Sequence, residues 1–501
     1  MTVVGVAGEA VVDDGYLISS RPADGTEVGR FPVAGAEQVD AAVIDARAAS
    51  RWWIGLGDAQ RRTRLLRWRS VITNRMTELA ELMGREGGKP FADAVVEITA
   101  AMEHLDWAAR NARRVLGHRR TRTRLATAEF SGHLEYQPLG VVGVIAPWNY
   151  PVLIPMGAIA YALAAGNAVV FKASEYTPAV GQWLVDTFAE AVGEQPVVQI
   201  VHGLGQTGDA LCRAGVDKIS FTGSSRTARA VMTACAQTLT PVLIEAGGKD
   251  AMIVDDDADI EAAAEGCVWG AFTNAGQSCI GIERVYALAP IYDAFITTVV
   301  DKAGRLTVGA SPDDHIGPIT MPGQLEIIRR HIDDALARGA RAVLGGPAAV
   351  RPPFVHPTVL VDVPPDSLAI REETFGPTVT ITRVDTIDEA IALANDTRYG
   401  LGGAVFGKRR AVQVARRMHS GMTSINSTLT FVGFSELPFG GMGESGFGRT
   451  HGVDGLREFS RAKAITRRRG PSVLPTMTFE RTSAGVDRIV KATRLLFGGR
   501  A

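Results

Sequence analysis

A chain of 501 residues, 46% apolar and 21% charged, is long enough for two or three domains around a large core and has an ordinary soluble, globular composition. Its net charge of −1 supplies no overall field for nucleic acid. The four cysteines, Cys212, Cys235, Cys267 and Cys279, have no dense spacing and no C-x-x-C pair; this points to reduced thiols in a cytoplasmic setting and against a disulfide framework or structural zinc.

Residues 1–35 read as extended segments and turns. The N-terminus has no basic region leading into an apolar run, so no signal peptide is expected. An Ala-rich amphipathic helix is predicted over Glu37–Ala49, followed by helices over about 58–86 and 91–116. Next comes a basic stretch with Arg113, Arg114, Arg119, Arg120, Arg122 and Arg124. Charge runs usually face water, so a solvated arm is favoured over an anionic partner.

The pattern then changes to apolar strands separated by helical runs. Strands are predicted at Val141–Ala146, Ala168–Lys172, Val197–Val201, Lys218–Phe221 and Pro241–Glu245. Such alternation gives a parallel sheet covered on both faces. Between the first two, Tyr150–Phe171 is apolar but interrupted by Pro151, Pro155, two glycines and Asn167, which reads as loop, helix and strand and not as a membrane span. Ligands of parallel sheets sit at the carboxyl ends of strands, and Asn149, Lys172, Gly223 and Glu245 follow or close such strands.

A second α/β region is predicted from strands near Arg284–Leu288, Thr358–Val363, Thr378–Val384, Ala404–Phe406 and Thr423–Asn426. Beyond Arg467-Arg468-Arg469 lie a Pro-containing connector and an amphipathic helix, about Ala484–Phe497, with Val486, Ile489, Val490, Thr493 and Leu496 on one face. Packing of that helix on the protein or on a neighbouring subunit is favoured over contact with a membrane surface, because amphipathic helices mostly cover cores.

The chemistry centres on the small-residue loop Asn274-Ala275-Gly276-Gln277-Ser278-Cys279. A thiol nucleophile needs a base or a lowered pKa, and the oxyanion that it creates needs donors. Glu245, just before Gly247-Gly248, offers the carboxylate, and Asn149 offers a carboxamide. Each alone is weak evidence. A lone Cys is usually a small core residue. Asn149 would be a turn residue, Glu245 and Glu373 surface carboxylates, and Phe375 core. The histidines are scattered, and none is assigned a catalytic or metal role. No metal site is expected.

Together the motifs carry more. Pro147-Trp148-Asn149, Phe221-Thr222-Gly223-Ser224, Glu245-Ala246-Gly247-Gly248-Lys249 and Gly276-Gln277-Ser278-Cys279 are followed by Glu373-Thr374-Phe375-Gly376-Pro377, Pro438-Phe439-Gly440-Gly441 and Ser445-Gly446-Phe447-Gly448-Arg449. In this order, from about residue 10 to 470, the chain resembles the aldehyde dehydrogenase superfamily. The resemblance implies an α/β fold with a Rossmann-like cofactor domain (1–118 and 138–246), an α/β catalytic domain (247–447) and an oligomerisation arm (119–137 and 448–470). The tail, 471–501, lies beyond it. A homodimer or homotetramer is implied.

The resemblance also implies NAD-dependent oxidation of an aldehyde to a carboxylic acid. Cys279 would attack the aldehyde, Asn149 and the Cys279 N–H would hold the oxyanion, and Glu245 would activate water against the thioester. NAD would be held by Ala146, Pro147, Trp148, Lys172, Ser174, Glu175, Phe221, Gly223, Ser224, Gly247, Glu373 and Phe375. NADP is the alternative cofactor; the Glu175 carboxylate, facing the ribose, favours NAD. The implied substrate pocket is Tyr150, Ile154, Gly157, Ser278, Ile280, Phe431, Phe434 and Phe439. Gly157 stands where succinic semialdehyde dehydrogenases carry an arginine. Its small size is expected to leave room, and an uncharged aliphatic or aromatic aldehyde is expected; the alternative is a semialdehyde acid, with Arg284 reaching the tunnel. Ala246 replaces the family's usual leucine, and Ala228 a glycine. A CoA-acylating relative would usually lack Glu245, and a non-enzymatic relative would have lost thiol or base.

Overall fold

Val141–Ile145 and Ala168–Lys172 are short runs of small apolar residues, buried along their whole length and paired in parallel. They form the middle of a six-stranded sheet in the computed structural model, which describes residues 10–124, 127–193, 195–471, 474 and 476–499. The strand order is Gly446–Phe447, Val242–Ala246, Lys218–Gly223, Val141–Ile145, Ala168–Lys172, Val198–Ile200. All pairs are parallel except the edge pair made by Gly446–Phe447.

A seven-stranded sheet follows in the order Arg341–Leu344, Thr358–Val361, Thr378–Val384, Ile282–Leu288, Asp250–Val254, Gly403–Phe406, Ser424–Ile425. It too is parallel apart from one edge pair. A third, antiparallel sheet joins Arg119–Thr121, Phe130–Pro138 and Ser460–Arg468.

Each predicted strand forms. The sequence reading missed Asp250–Val254, which lies inside the seven-stranded sheet and is wholly buried. The expected helix over 58–86 is two helices, Gly57–Asn74 and Met76–Gly87. Arg75 leaves helical geometry between them (φ −108°, ψ 20°); its guanidinium pairs with Glu78 and Glu190 and lies over the Trp183 ring. Three strands, Val11–Asp13, Tyr16–Ser20 and Glu27–Pro32, account for the extended N-terminal region; residues 1–9 of it lie outside the described residues. The apolar stretch before Phe171 contains a 12-residue helix, Leu153–Ala164, and no helix among the described residues is long and apolar enough to cross a membrane.

The tail helix, Ser483–Phe497, forms as expected but is little buried by its own chain. Gly485 is its one buried residue, so no described part of this chain covers its apolar face.

Buried polar side chains fix the loop that carries Asn149. The Glu97 carboxylate accepts the backbone N–H groups of Val152 (2.8 Å) and Leu153 (3.0 Å), at the start of the Leu153–Ala164 helix, where negative charge is favoured. Lys89, also buried, pairs with Glu97 and donates to the Asn149 carbonyl oxygen at 2.8 Å. A buried pair of this kind contributes little beyond its desolvation cost, but breaking it strands a charge. Glu97→Ala should therefore lower unfolding stability by about 3–5 kcal/mol. Glu97→Gln keeps an acceptor for the two N–H groups and should cost less. Guanidinium unfolding of both variants tests this; equal losses would contradict the role given to Glu97.

Candidate active site

Cys279 follows a tight turn, Thr273–Gly276, in which Asn274, Ala275 and Gly276 are all left-handed (φ 51°, 57° and 69°). Gly276 is needed there for a second reason. A Cβ at this position would lie 2.2 Å from the Gly376 carbonyl oxygen. Two glycine motifs far apart in the chain thus meet backbone to backbone.

The turn is tied to the Asn149 loop by carboxamides. Asn149 Nδ2 donates to the Gln277 carbonyl oxygen at 3.0 Å, and Asn274 Nδ2 donates to the Asn149 carbonyl oxygen at 3.0 Å. The Gln277 side chain accepts from Thr320 N at 2.9 Å and donates to Asn274 O at 3.1 Å. One Asn149 N–H is engaged in this way, and the carboxamide carries a second.

Glu245 closes the strand Val242–Ala246 and is buried, 5% exposed. The Cys279 thiol and the Thr222 hydroxyl approach its carboxylate, while Oε1 has no hydrogen-bond partner among the described residues. Burial pushes the Glu245 carboxyl up to about 7, against the opposing pull of those two groups. Burial, and then the Glu245 charge, pushes the Cys279 thiol well above its ordinary value. Of the two groups, Glu245 gives up its proton first, so near neutral pH a carboxylate faces a thiol.

Two cavities meet at this pair. Cys279, Glu245, Thr222 and Ile154 line both. The wider cavity, about 840 Å³, is bordered by all twelve residues expected to hold the cofactor, from Ala146 to Phe375, and by Asn149. Lys172 donates to the Glu175 carboxylate at 3.1 Å and Ser174 at 3.4 Å. Ser224 caps the helix Ser225–Ala236 by accepting from Thr227 N, and the first turn of that helix opens on the cavity. Ala228, at the glycine position of the family pattern, is buried in the core and does not border the cavity. Gly247 has no room for a side chain, since a Cβ would be 2.2 Å from Glu373 Oε2. Glu373 accepts Gly248 N at 2.9 Å, and burial raises its carboxyl to about 8. The ring of Trp148 meets Phe375 edge-on at 5.7 Å.

The narrower cavity, about 280 Å³, is mostly apolar. Of the eight expected substrate residues, Tyr150, Ile154, Ile280 and Phe439 line it. Phe431 packs behind, with Ile280, Leu401 and Met422. Ser278 is buried, and Phe434 is 60% exposed; neither borders the cavity.

Gly157 is corrected in a different way. The room that it leaves is filled by His451, whose Nε2 would be 2.7 Å from a Cβ at position 157. The His451 ring stacks on His104 (3.6 Å between centroids), packs against Phe439 and lines the cavity. Burial holds both imidazoles neutral, lowering His104 to about 4 and His451 well below its ordinary value. The histidines were not singled out in the sequence; the left-handed φ of His451 (61°), next to Gly452, is visible only in the fold.

Arg284 does not reach the cavity either. It is buried, and its guanidinium donates to the carbonyl oxygens of Lys249, Leu393 and Ala394. Among the described residues no Lys or Arg lines the cavity, and its ionisable side chains include the carboxyls of Asp93, Glu97 and Glu245. Sequence reasoning also missed the buried pair Lys249–Glu283, whose carboxylate accepts Thr374 N and Phe375 N and so sets the loop of Glu373.

Known proteins resemble this chain over most of its length. The model of the Aldehyde dehydrogenase family matches residues 13–465. The chain is 37% identical over 448 residues to 4,4′-diapolycopene aldehyde oxidase of Methylomonas sp, covering 89% of this chain and 84% of that protein. It is 34% identical over 468 residues to glutarate-semialdehyde dehydrogenase of Pseudomonas aeruginosa, covering 90% and 94%. The crystal structure of an NAD-dependent aldehyde dehydrogenase from Sinorhizobium meliloti superimposes with a TM-score of 0.88 at 33% identity, covering 94% of this chain and 95% of that one. A chain matched over nearly its whole length, with a thiol and a carboxylate facing each other between two cavities, belongs to the aldehyde dehydrogenase family.

Proposed function

We propose that this protein oxidises an uncharged aliphatic or aromatic aldehyde to the carboxylic acid with NAD, through a thioester on Cys279 that is hydrolysed with Glu245 as base. The observation that carries the reading is the position of Cys279 and Glu245 between an apolar cavity and a polar one. Two solved relatives are described as an NAD complex and as NAD-dependent. The donor set of the wider cavity suits a dinucleotide: a helix N-terminus for phosphates, a lysine–carboxylate pair for a ribose, and the glycine at 247 that lets a ligand approach. When bound, the nicotinamide would accept the hydride that the former aldehyde carbon gives up.

The chain's own groups do the rest. The Glu245 carboxylate takes the thiol proton, and the thiolate adds to the carbonyl carbon. The free N–H of Asn149 and the Cys279 backbone N–H hold the resulting oxyanion. Its collapse leaves a thioester. Glu245 releases that proton to solvent and then takes one from water as the water oxygen bonds to the thioester carbon; the C–S bond breaks, the acid leaves, and the proton on Glu245 returns to the Cys279 thiolate. Water is the acyl acceptor here, since the base that hydrolysis needs is present. The overall balance is aldehyde, NAD+ and water giving acid, NADH and a proton.

The substrate class rests on the narrower cavity. A substrate carboxylate would be desolvated there beside three acidic side chains, with no cation to pair it. The relative named for 4,4′-diapolycopene aldehyde favours this reading, and the one named for glutarate semialdehyde favours its rival.

Cys279→Ala should lower kcat by about three orders of magnitude or more while NAD still binds. Glu245→Gln should slow the NADH burst as well as steady-state turnover, by about 10²–10⁴-fold, because the same carboxylate takes the thiol proton and the water proton. Because the folded carboxyl is raised to about 7, kcat/KM of the wild type should rise from pH 6 to 8 as Glu245 loses its proton, and this limb should vanish in Glu245→Gln. A pH-independent wild type would remove Glu245 from its role.

Glu175→Gln frees Lys172 for a 2′-phosphate and removes a like charge. The ratio of kcat/KM with NAD to that with NADP should fall by about tenfold, a change of about 1.4 kcal/mol. A wild type that prefers NADP would refute the assignment.

Across a panel of aldehydes of graded length and charge, uncharged members should exceed succinic and glutaric semialdehydes in kcat/KM by about tenfold or more. A semialdehyde acid at the top of the panel would overturn the substrate class.

A further inference from the structure

We propose that His451 selects the substrate, by hydrogen-bonding a hydroxyl group that the aldehyde carries away from its reacting carbon. His451 thereby narrows the substrate class of the reaction proposed above, on which this inference rests, to uncharged hydroxyaldehydes.

The narrower cavity lacks hydrogen-bond partners at two places. Of its lining residues, Glu245 and His451 each carry a buried polar atom, Oε1 and Nδ1, that has no partner among the described residues. Glu245 stands beside Cys279 and is engaged by the reaction itself. His451 has no part in those steps. It is 5% exposed, and a buried polar atom left unpaired is costly. The hydroxyls of Thr273, Thr428 and Thr430 also line the cavity, but they bond to Asp93, to the Gly266 carbonyl oxygen and to the Ser424 and Ser427 hydroxyls.

The backbone holds the imidazole in place. His451 lies at φ 61° and ψ 162°, a region otherwise left to glycine. Its neighbours are pinned. Thr450 and Phe439 exchange backbone N–H···O bonds of 2.8 and 2.9 Å, and Gly452 N donates to Tyr161 Oη at 3.1 Å and to the Ser435 carbonyl oxygen at 3.0 Å. Gly157 makes room for the ring, since a Cβ there would lie 2.7 Å from His451 Nε2. Backbone strain of this kind collects where a ligand is held.

Hydrogen-bond chemistry names the group. His104, stacked on His451, donates from Nε2 to the Val432 carbonyl oxygen at 2.8 Å, which fixes its tautomer. No side-chain hydrogen bond among the described residues does the same for His451, so its proton is free to sit on either ring nitrogen. A hydroxyl both donates and accepts, and so pairs with either tautomer. A carboxylate accepts only, and it would lie desolvated among the acidic side chains of the cavity. Tyr150, Ile154, Ile280 and Phe439 supply an apolar lining for the chain or ring that joins aldehyde to hydroxyl.

Isosteric pairs test this: para-(hydroxymethyl)benzaldehyde against para-ethylbenzaldehyde, and ω-hydroxyalkanals of graded length against alkanals of equal length. In at least one pair the hydroxylated member should have a kcat/KM about tenfold higher in the wild type, mostly through KM. His451→Leu should bring that ratio to about one, and His451→Gln, which keeps a donor and an acceptor, should restore part of it. A residue that merely fills space would move both members of a pair together. Binding is read separately by calorimetry on Cys279→Ala with the corresponding unreactive amides, which needs no turnover. There too the hydroxylated amide should bind about tenfold more tightly, and adding His451→Leu should remove the difference. This readout stands even where the proposed reaction fails. Equal kcat/KM within every pair together with equal binding of the amides would overturn the proposal, and so would a ratio that His451→Leu leaves unchanged.

Discussion

The approach of one backbone to another governs the centre of this molecule. Gly276 lies against the Gly376 carbonyl so closely that even a methyl group would collide with it. That contact joins the thiol loop to the loop that carries Glu373 and Phe375, and so joins the nucleophile to one wall of the wider cavity. The three left-handed residues before Cys279 are tolerated because the contact and the Asn149–Asn274–Gln277 hydrogen bonds over-determine the turn. Strain of this sort persists only where the surroundings hold it.

Further glycines and buried ions extend the same logic outward. Gly247 gives way to the Glu373 carboxylate, which in turn accepts Gly248 N. Ser445 Oγ donates to Gly247 O, and Arg449 donates to the carbonyls of Gly441 and Gly448, so the last two sequence motifs brace the strand end that bears Glu245. Lys89–Glu97 and Lys249–Glu283 are buried pairs whose carboxylates accept backbone N–H groups from loops of the site. Their value lies less in net stability than in fixing where those loops run.

Much of this was legible in the sequence, for a physical reason. A strand that is apolar throughout is a local signature, and the strands expected from it form; the twelve residues that the family motifs implied for the cofactor all border the wider cavity. The paired ions were not, because neither Lys89 nor Glu97 signals its partner in the sequence. Asp250–Val254 was missed because it follows the glycine motif with no turn signal in between. Only half of the expected substrate residues line the narrower cavity, since a cavity wall is assembled from distant segments while a sequence reports each alone.

Gly157 and His451 illustrate the last point. The glycine removes volume from one helix, and an imidazole from the other end of the chain returns it. Neither residue has a meaning by itself. A side chain gained at 157 would force the His451 ring to move, and a smaller residue at 451 would leave a hollow beside Gly157. The volumes at the two positions are coupled, and the wall of the tunnel at His451 keeps its shape only while position 157 stays small.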